Sequence, residues 1–592
     1  MPPKGQRDTK KEKPRDAKGT LLRIWRYVTR FRALMIIIAI MCIGSNLLAL
    51  VGPSLAGRAI DEAAAGAGKV NFEKVWYYAK LMLLFYISSS VLTLLINFLM
   101  MNVGRNIARQ MRSDVFYKLM KLPVNYFDRH AAGDIISRVS YDIDVLSTSI
   151  STDIVQIMTS LVTVLGSLFM MIYISPLLAL MVLITIPLSV FYTRYMSRKT
   201  RPLFARRSAA YGKMNGYVEE MFSGQKTILA YAREASVLDK FESINQEASE
   251  AFYWANHYGM TIGPTMNSIN NLGLALLGMF GSILYLKDLV SLAQISSFVL
   301  YSRKFSGPIN EIANIVSEIY SALAAAERVF RLLDETEETV DAENALTLTD
   351  VKGDVEIENV SFGYVPEKMI LRDFNLRAEA GKLIAIVGPT GAGKTTVINL
   401  LMRFYDVNTG EIRVDGHEVR SLTRKSLRRA YAMVLQDTWL FNGTIYENIA
   451  YGKEGATRDE VVKAAKAARI HHYIMQLPEG YDTVISEDGG NISKGQKQML
   501  TIARAMLYDA RMLILDEATS NVDTGTERRI QAAMRELMAG KTCFVIAHRL
   551  STIQNADRIL VVNDGNIAEQ GTHRELMDEK GFYYRLYTSQ FE

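Results

Sequence analysis

Four stretches of this chain run without a charged side chain, between Arg32 and Arg58, Lys80 and Arg105, Asp153 and Arg194, and His257 and Lys287. Each holds at least one apolar span of about 20 residues, the length a helix needs to cross hydrocarbon. The third has room for two, and Ser175-Pro176 interrupts it where a tight turn belongs. The pattern predicts spans at roughly 33–54, 81–102, 154–174, 177–196, 260–286 and 289–312. The sixth is the weakest, because only fourteen uncharged residues, Leu289 to Ser302, precede Arg303 and Lys304.

Charge places the connections. Residues 105–153 and 198–257 are rich in Arg and Lys, whereas the connections near 55–80, 175–176 and 287–288 are short or poor in charge. Positive residues stay on the cytoplasmic side, so both long loops and both termini are expected there, in a multi-pass protein of the cytoplasmic (inner) membrane. Within those loops, Ile107, Met111, Val115 and Leu119, and then Val218, Met221 and Ile228, recur at helical spacing. They predict helices that continue beyond the membrane. Breaks at Pro123–Phe127 with Gly133-Asp134, and at Phe222–Gly224, predict short transverse helices that meet another domain.

From about Ala378 the rhythm changes to short β-branched runs alternating with amphipathic helices, beginning with Leu383-Ile384-Ala385-Ile386-Val387. That alternation predicts an α/β domain with a mainly parallel sheet. The expected division is a basic tail at 1–18, an α-helical six-span transmembrane domain at 19–335, a linker at 336–353 and an ATPase domain at 354–592.

Composition adds little beyond exclusions. The net charge of +6 belongs to the span flanks, with no basic motif interleaved with aromatics, so nucleic acid is not an expected partner. The two cysteines, Cys42 and Cys543, fall in different domains and argue against a disulfide framework. The N-terminal tail lacks a signal peptide's short apolar core, so the first span is expected to be uncleaved.

The strongest local motif is Gly388, Pro389, Thr390, Gly391, Ala392, Gly393, Lys394 and Thr395, directly after an apolar strand and before the helical run that starts at Thr396. It fits G-x-x-x-x-G-K-[ST], a loop whose backbone N–H groups cradle phosphates at a helix N-terminus. Lys394 is expected to reach the outer phosphates and the Thr395 hydroxyl to ligate Mg²⁺. Met512 to Glu517 reads as an apolar strand ending in two carboxylates. Asp516 suits Mg²⁺, and Glu517, one residue further on, suits a general base that polarises the attacking water.

Between these motifs stand Asn491, Ile492, Ser493, Lys494, Gly495, Gln496, Lys497 and Gln498, a run that resembles the signature of ABC transporters, usually L-S-G-G-Q. The resemblance covers the ATPase domain from about Asp354 to Glu592 and extends over the spans, since six spans fused ahead of one ATPase domain is the half-exporter layout. It implies Tyr364 against the adenine, Gln436 near Mg²⁺ and the water, Ser520 to Asp523 as the D-loop, and His548 at the γ-phosphate. Tyr126 to Asp128 with Gly133 to Arg138, and Glu219 to Gly224 with Lys226 to Ile228, resemble the two coupling segments. The resemblance also implies ATP and Mg²⁺ as cofactors, the lipid bilayer as surroundings, and head-to-tail ATPase dimers in which each signature faces the partner's nucleotide.

This chain departs from that signature, with Ile492 in place of Leu and Lys494 in place of the first Gly. Lys494 puts a charged side chain where backbone approaches phosphate, and glycine's freedom at positive φ is expected to be lost. The departure resembles heterodimeric exporters with one degenerate site, and a homodimer that tolerates Lys494 is the other reading.

The substrates that the resemblance implies are small hydrophobic or amphipathic compounds in multidrug export, with lipid or lipopeptide flipping as the alternative. An ATP-gated channel or regulatory subunit would need a regulatory insertion that the sequence does not show. Asn267, Asn270 and Asn271 in the fifth span, with Arg303 and Lys304 in the sixth, are polar groups at membrane depth that either line a cavity or pack helices.

Overall fold

The computed structural model describes residues 16–64, 66, 69–365, 367–435, 438–485, 492–516, 523–547 and 553–591. Two compact units make up the chain. The first comprises the residues up to Leu122 and His130–Thr336, and the second comprises Pro123–Arg129 and Glu337–Glu592.

The first unit is helical: α1 (Ala17–Thr29), α2 (Arg32–Ala63), α3 (Phe72–Leu119), then, after α4 (Val124–Arg129) of the second unit, α5 (Ala132–Ser137) and α6 (Ile143–Ile174). It continues with α7 (Pro176–Ser223), α8 (Gln225–Ala230), α9 (Glu234–Leu286) and α10 (Leu292–Leu333). Local chemistry sets the starts. Asn71 caps α3 by accepting from the Lys74 amide at 3.1 Å, and Ser175 stands extended before Pro176, which can open a helix because its missing N–H would have no partner there. Ser291 and Gln294 form a reciprocal cap on α10. Among the described residues, α2, α3, the run ending in α6, and α9 are long and apolar enough to cross a membrane. Their outward residues suit lipid rather than water: Leu94, Phe98 and Met101 on α3 are each more than 60% exposed.

Inside the bundle, small residues let helices approach. Ser45 on α2 donates to the Ser89 carbonyl at 2.9 Å while Ser89 donates back to the Ser45 carbonyl at 2.9 Å. Lipid offers no hydrophobic drive between helices, so such hydrogen bonds and close contacts do the joining. At Gly57 a Cβ would come within 2.4 Å of the Ala293 carbonyl, so that crossing needs glycine.

The helix expected as the sixth and weakest span, α10, is continuous despite Arg303 and Lys304, and α2 supplies a reason. Pro53 has no N–H, which leaves the Ala49 carbonyl one turn back without its helical partner. The Lys304 ammonium donates to that carbonyl at 2.9 Å and lies 5.8 Å from the Tyr86 ring centroid. Lys304 therefore fastens α10 to α2, which favours packing over cavity lining for this cation. Asn267 and Asn271 are exposed on α9, and Asn270 is half-buried.

The second unit holds two larger sheets. Strands β1 (Val355–Phe362), β2 (Leu371–Ala378), β4 (Thr409–Val414) and β5 (His417–Glu418) form an antiparallel sheet in the order β2-β1-β4-β5. The central sheet runs β12-β11-β3-β10-β9-β6, built from β3 (Leu383–Val387), β6 (Tyr431–Val434), β9 (Met512–Asp516), β10 (Thr542–Ile546), β11 (Arg558–Asn563) and β12 (Asn566–Gly571). Its pairs are parallel except β11 with β12. Met512, Leu513, Ile514 and Leu515 are all fully buried, the continuous apolar run of a strand covered on both faces. A short pair, β7 (Gly443–Thr444) with β8 (Val484–Ile485), lies apart. The helices are α11 (Lys394–Leu401), α12 (Arg424–Arg429), α13 (Ile445–Ala450), α14 (Arg458–Ala467), α15 (His471–Gln476), α16 (Lys494–Tyr508) and α17 (Thr524–Met538), followed by His573–Asp578 and Phe582–Phe591.

Two boundaries differ from the sequence expectation. The 123–129 segment, expected within the transmembrane domain, clusters with the second unit: Tyr405 donates to the Asp128 carboxylate, and Arg129 donates to the Tyr364 carbonyl at 3.3 Å. The 336–353 stretch, expected as a linker, is tied down. Arg424 donates to the Thr339 carbonyl at 2.6 Å and to Asp341 at 2.8 Å, Arg428 reaches Glu338 at 2.5 Å, and Asp415 accepts from the Lys352, Gly353 and Asp354 amides.

Candidate nucleotide site

The parallel strands end together, and their ends carry the chemistry. Register sets Ile546 beside both Ile386 and Asp516, and Val434 beside Leu515. Gly388 follows β3, and Asp516 closes β9, so the phosphate loop and this carboxylate share one edge of the sheet. In open α/β sheets ligands bind at the carboxyl ends of the strands.

The loop from Gly388 to Thr395 depends on its glycines. Gly388 stands at φ +153° with a Cβ position only 2.1 Å from the Val562 carbonyl, and Gly391 and Gly393 stand at φ +86° and +105°. Gly393 is the N-cap of α11, and no side chain caps that end. Its first N–H groups are therefore available to an anion. Ala392 and Thr396 are buried beneath the loop, Pro389 is half-buried, and Thr390 and Thr395 are exposed. Lys394 is 9% exposed and donates to the Gly388 carbonyl at 2.7 Å and the Pro389 carbonyl at 3.0 Å, folding its ammonium across the cradle. Burial pulls that ammonium below its ordinary range, and the Asp516 carboxylate acts in the opposite direction. A phosphate replacing the two carbonyls would favour the charged form of this lysine.

The aromatic side of the site is more elaborate than the sequence implied. Tyr364 is half-buried, with its ring edge-on to Phe362 at 5.1 Å and to Tyr405 at 5.0 Å. Its hydroxyl accepts from Asn399 Nδ2 at 3.0 Å and lies 3.3 Å from the Thr396 hydroxyl. Tyr405, which the motifs did not single out, thus touches Tyr364 with its ring and Asp128 with its hydroxyl. Burial, and then the Asp128 carboxylate, push the Tyr405 phenol well above its ordinary range, so it remains a donor.

The signature residues open α16. Ser493 is its N-cap, accepting from the Gln496 amide at 3.3 Å, while Gln496 Oε1 accepts from the Ser493 amide at 2.9 Å. Ile492 is buried in the apolar core and Gly495 is buried. Lys494 is exposed and is the first helical residue. It is absent from the positive-φ positions, so the expected loss of glycine's backbone freedom does not arise. Lys494 costs this segment no backbone strain, and only its charge distinguishes it. Asp523, expected in the D-loop, caps α17 by accepting from the Thr526 amide at 2.9 Å, which holds its carboxyl below the usual range. Gln436, Glu517 and His548 lie outside the described residues.

Thr395 and Asp516 offer hard oxygen donors, the kind Mg²⁺ takes together with phosphate oxygens. Among the described residues no cluster of three or more His, Cys, Asp or Glu forms a metal cage of protein groups alone. That donor set fits an ion that arrives with a nucleotide.

A glycine loop opening a helix, at the carboxyl edge of a parallel sheet with a strand-end aspartate, is the architecture of a P-loop ATPase, here on the same chain as a bundle of apolar helices. Family models agree in the same order along the chain: an ABC transporter transmembrane region over residues 35–309 and an ABC transporter domain over 371–520. The chain is 46% identical over 477 residues to a fatty acid ABC transporter ATP-binding/permease protein of Mycobacterium bovis, covering 81% of this chain and 75% of that one. It is 34% identical over 574 residues to an ATP-dependent lipid A-core flippase of Syntrophus aciditrophicus, covering 97% and 94%. A solved bacterial Atm1-family ABC exporter with ATP bound superposes with a TM-score of 0.75 at 28% identity, covering 95% of this chain and 99% of that one.

The chain belongs to the ABC transporter family. It is an exporter half-transporter, embedded in the membrane, that works as a dimer and couples ATP hydrolysis to transport.

Proposed function

We propose that this chain exports amphipathic compounds, lipids foremost, across the cytoplasmic membrane, with its ATPase unit in the cytoplasm and six helices spanning the bilayer. The observation that carries the reading is the likeness, over most of the chain, to relatives that are named for fatty acid and lipid A-core substrates. Multidrug export is the same chemistry with a broader ligand set. In this reading Tyr364 stacks on adenine, the Gly388–Thr396 loop holds the phosphates and Lys394 reaches the outer two. Thr395, Asp516 and Gln436 would hold Mg²⁺, which when bound offsets phosphate charge. Glu517 orients and deprotonates water, and His548 faces the γ-phosphate. Closing two ATPase units on ATP then moves the spans through α4 and α8, so that the cavity opens outward.

The test is reconstitution of the purified complex into liposomes with ATP. Export of a fluorescent short-chain phospholipid or fatty acid, abolished by Glu517→Gln, is the expected result. Movement of cationic dyes only, with both lipids left in place, overturns it.

The pairing is a second reading. The exposed ammonium of Lys494 at a signature favours a different partner chain that supplies the ordinary glycine. A complex of twice 66.5 kDa from the native membrane would make it a homodimer and overturn this.

A further inference from the structure

The first unit contains a cleft that neither the nucleotide nor the transport reading uses. Tyr27, Arg30 and Phe31, at the junction of α1 and α2, face Asn106, Arg109 and Gln110 of α3 around about 400 Å³. The cations nearby divide into two kinds. Arg23 is held by Asp334 at 2.5 Å and Arg112 by Asp144. Arg30 and Arg109 make no ion pair among the described residues, and Arg30 lies 5.6 Å from the centroid of the Tyr27 ring. The adjoining carboxylate, Asp114, is already engaged at both oxygens, by the Tyr27 hydroxyl at 2.8 Å and by Gln110 Nε2 at 2.8 Å. Burial, with Asp114, pushes the Tyr27 phenol up to about 12, so it stays neutral at any physiological pH. The cleft therefore presents two guanidinium groups without an ion pair among the described residues, aromatic walls and an amide at its rim.

Its position identifies the surroundings. α1 buries Thr20, Ile24 and Val28 but leaves Leu21, Leu22 and Trp25 more than half exposed, and it ends three residues before α2 begins. A helix of that kind, with Arg23 and Arg26 on its polar side, lies in the plane of a membrane surface. α2 and α3 run antiparallel, as the Ser45–Ser89 and Gly52–Tyr86 contacts require. Arg30 before α2 and Arg109 beyond the apolar part of α3 thus sit at the same end of the hairpin, at headgroup level.

We infer that this cleft seats the phosphate of an anionic phospholipid of the surrounding leaflet between Arg30 and Arg109, with α1 lying in the interface beside it. Basic pockets between spanning helices hold such headgroups, and paired cations suit a phosphate's several acceptor oxygens. The occupant is a lipid of the host bilayer, so the inference rests on membrane embedding and not on the exported substrate.

The test uses the intact complex in detergent with phosphatidylglycerol or phosphatidylethanolamine added, and counts retained lipid by native mass spectrometry. Preferential retention of phosphatidylglycerol is expected. Arg30→Gln or Arg109→Gln should weaken it about fivefold each and the double variant roughly thirtyfold. Arg30→Lys with Arg109→Lys, which keeps both charges, should hold it within a few-fold and shows that the fold survives. Lys69→Gln removes a cation at the other end of the hairpin and should change nothing. Equal retention by the double Gln variant, equal loss in Lys69→Gln, or full displacement by inorganic phosphate would each overturn the assignment, the last by identifying a soluble anion as the occupant.

Discussion

Two helices of the ATPase unit begin at a lysine that follows a phosphate motif, and they begin in opposite ways. α11 starts behind Gly393 at φ +105° with no side-chain cap, and its own Lys394 lies folded over the loop carbonyls. α16 starts behind Ser493, whose hydroxyl and Gln496 satisfy each other's amides. The first end is left open for an anion, and the second is closed on itself. An open end stores unsatisfied N–H groups that a nucleotide can satisfy at once. At the start of α16 the cap occupies the Ser493 and Gln496 amides, and the exposed Lys494 ammonium stands beside them. The phosphate loop is thus open in its backbone, whereas the start of α16 is capped by side chains.

The contrast can be sharpened by variants, ordered by the size of the expected effect. Glu517→Gln sets the outer limit: steady-state phosphate release should fall by about 10² to 10⁴ while ATP is still bound, and surviving turnover would move the general base elsewhere. Lys394→Ala strips the open end of the cation folded over it. Turnover should drop by about 10² to 10³, with a parallel loss in nucleotide affinity by equilibrium binding. Affinity within twofold of the unaltered protein would mean that α11 is not the phosphate seat.

Gly388→Ala tests the open backbone without touching charge. The new methyl meets the Val562 carbonyl, so the melting temperature should fall by an amount corresponding to about 1–3 kcal/mol. An unchanged melt would show that the loop relaxes freely. Ser493→Ala opens the closed end and should cost about 1 kcal/mol in chemical denaturation, leaving nucleotide binding by the chain's own loop intact. Lys494→Gly should do least. Stability should shift by no more than about 1 kcal/mol, since the residue is an ordinary first helical position, and turnover should change less than about twofold. A larger rise in turnover would count against a degenerate site and for a homodimer slowed by Lys494.

Much of this layout was legible because it depends on local rules. Uncharged length marked α2, α3, α6 and α9, and the spacing of Ile107, Met111, Val115 and Leu119, all buried, foretold that α3 continues past its span. The glycine loop after β3 was equally plain. What escaped depends on contacts distant in sequence. Lys304 looked like an interruption because the free carbonyl at Ala49 is created by Pro53 on another helix. Lys494 looked strained because the motif's glycine suggests a turn, whereas Ser493 makes the position helical. Tyr405 follows the α11 helix with no motif of its own, and its importance emerges only from the ring of Tyr364 and the carboxylate of Asp128.

The arginine clamp on residues 338–341 has a consequence for anyone who would dissect this molecule. A fragment begun at the sequence-expected start, Asp354, would strip Glu338, Thr339 and Asp341 from Arg424, a guanidinium only 7% exposed. Arg424 would keep only Asp406, at 3.4 Å, of the carboxylates that pair with it among the described residues, and losing partners of a buried charge costs up to about 3–5 kcal/mol. Beginning at Glu337 keeps that clamp, although the fragment would still lack α4. Insolubility of the shorter piece would then report where the cut was made rather than whether the ATPase unit folds by itself.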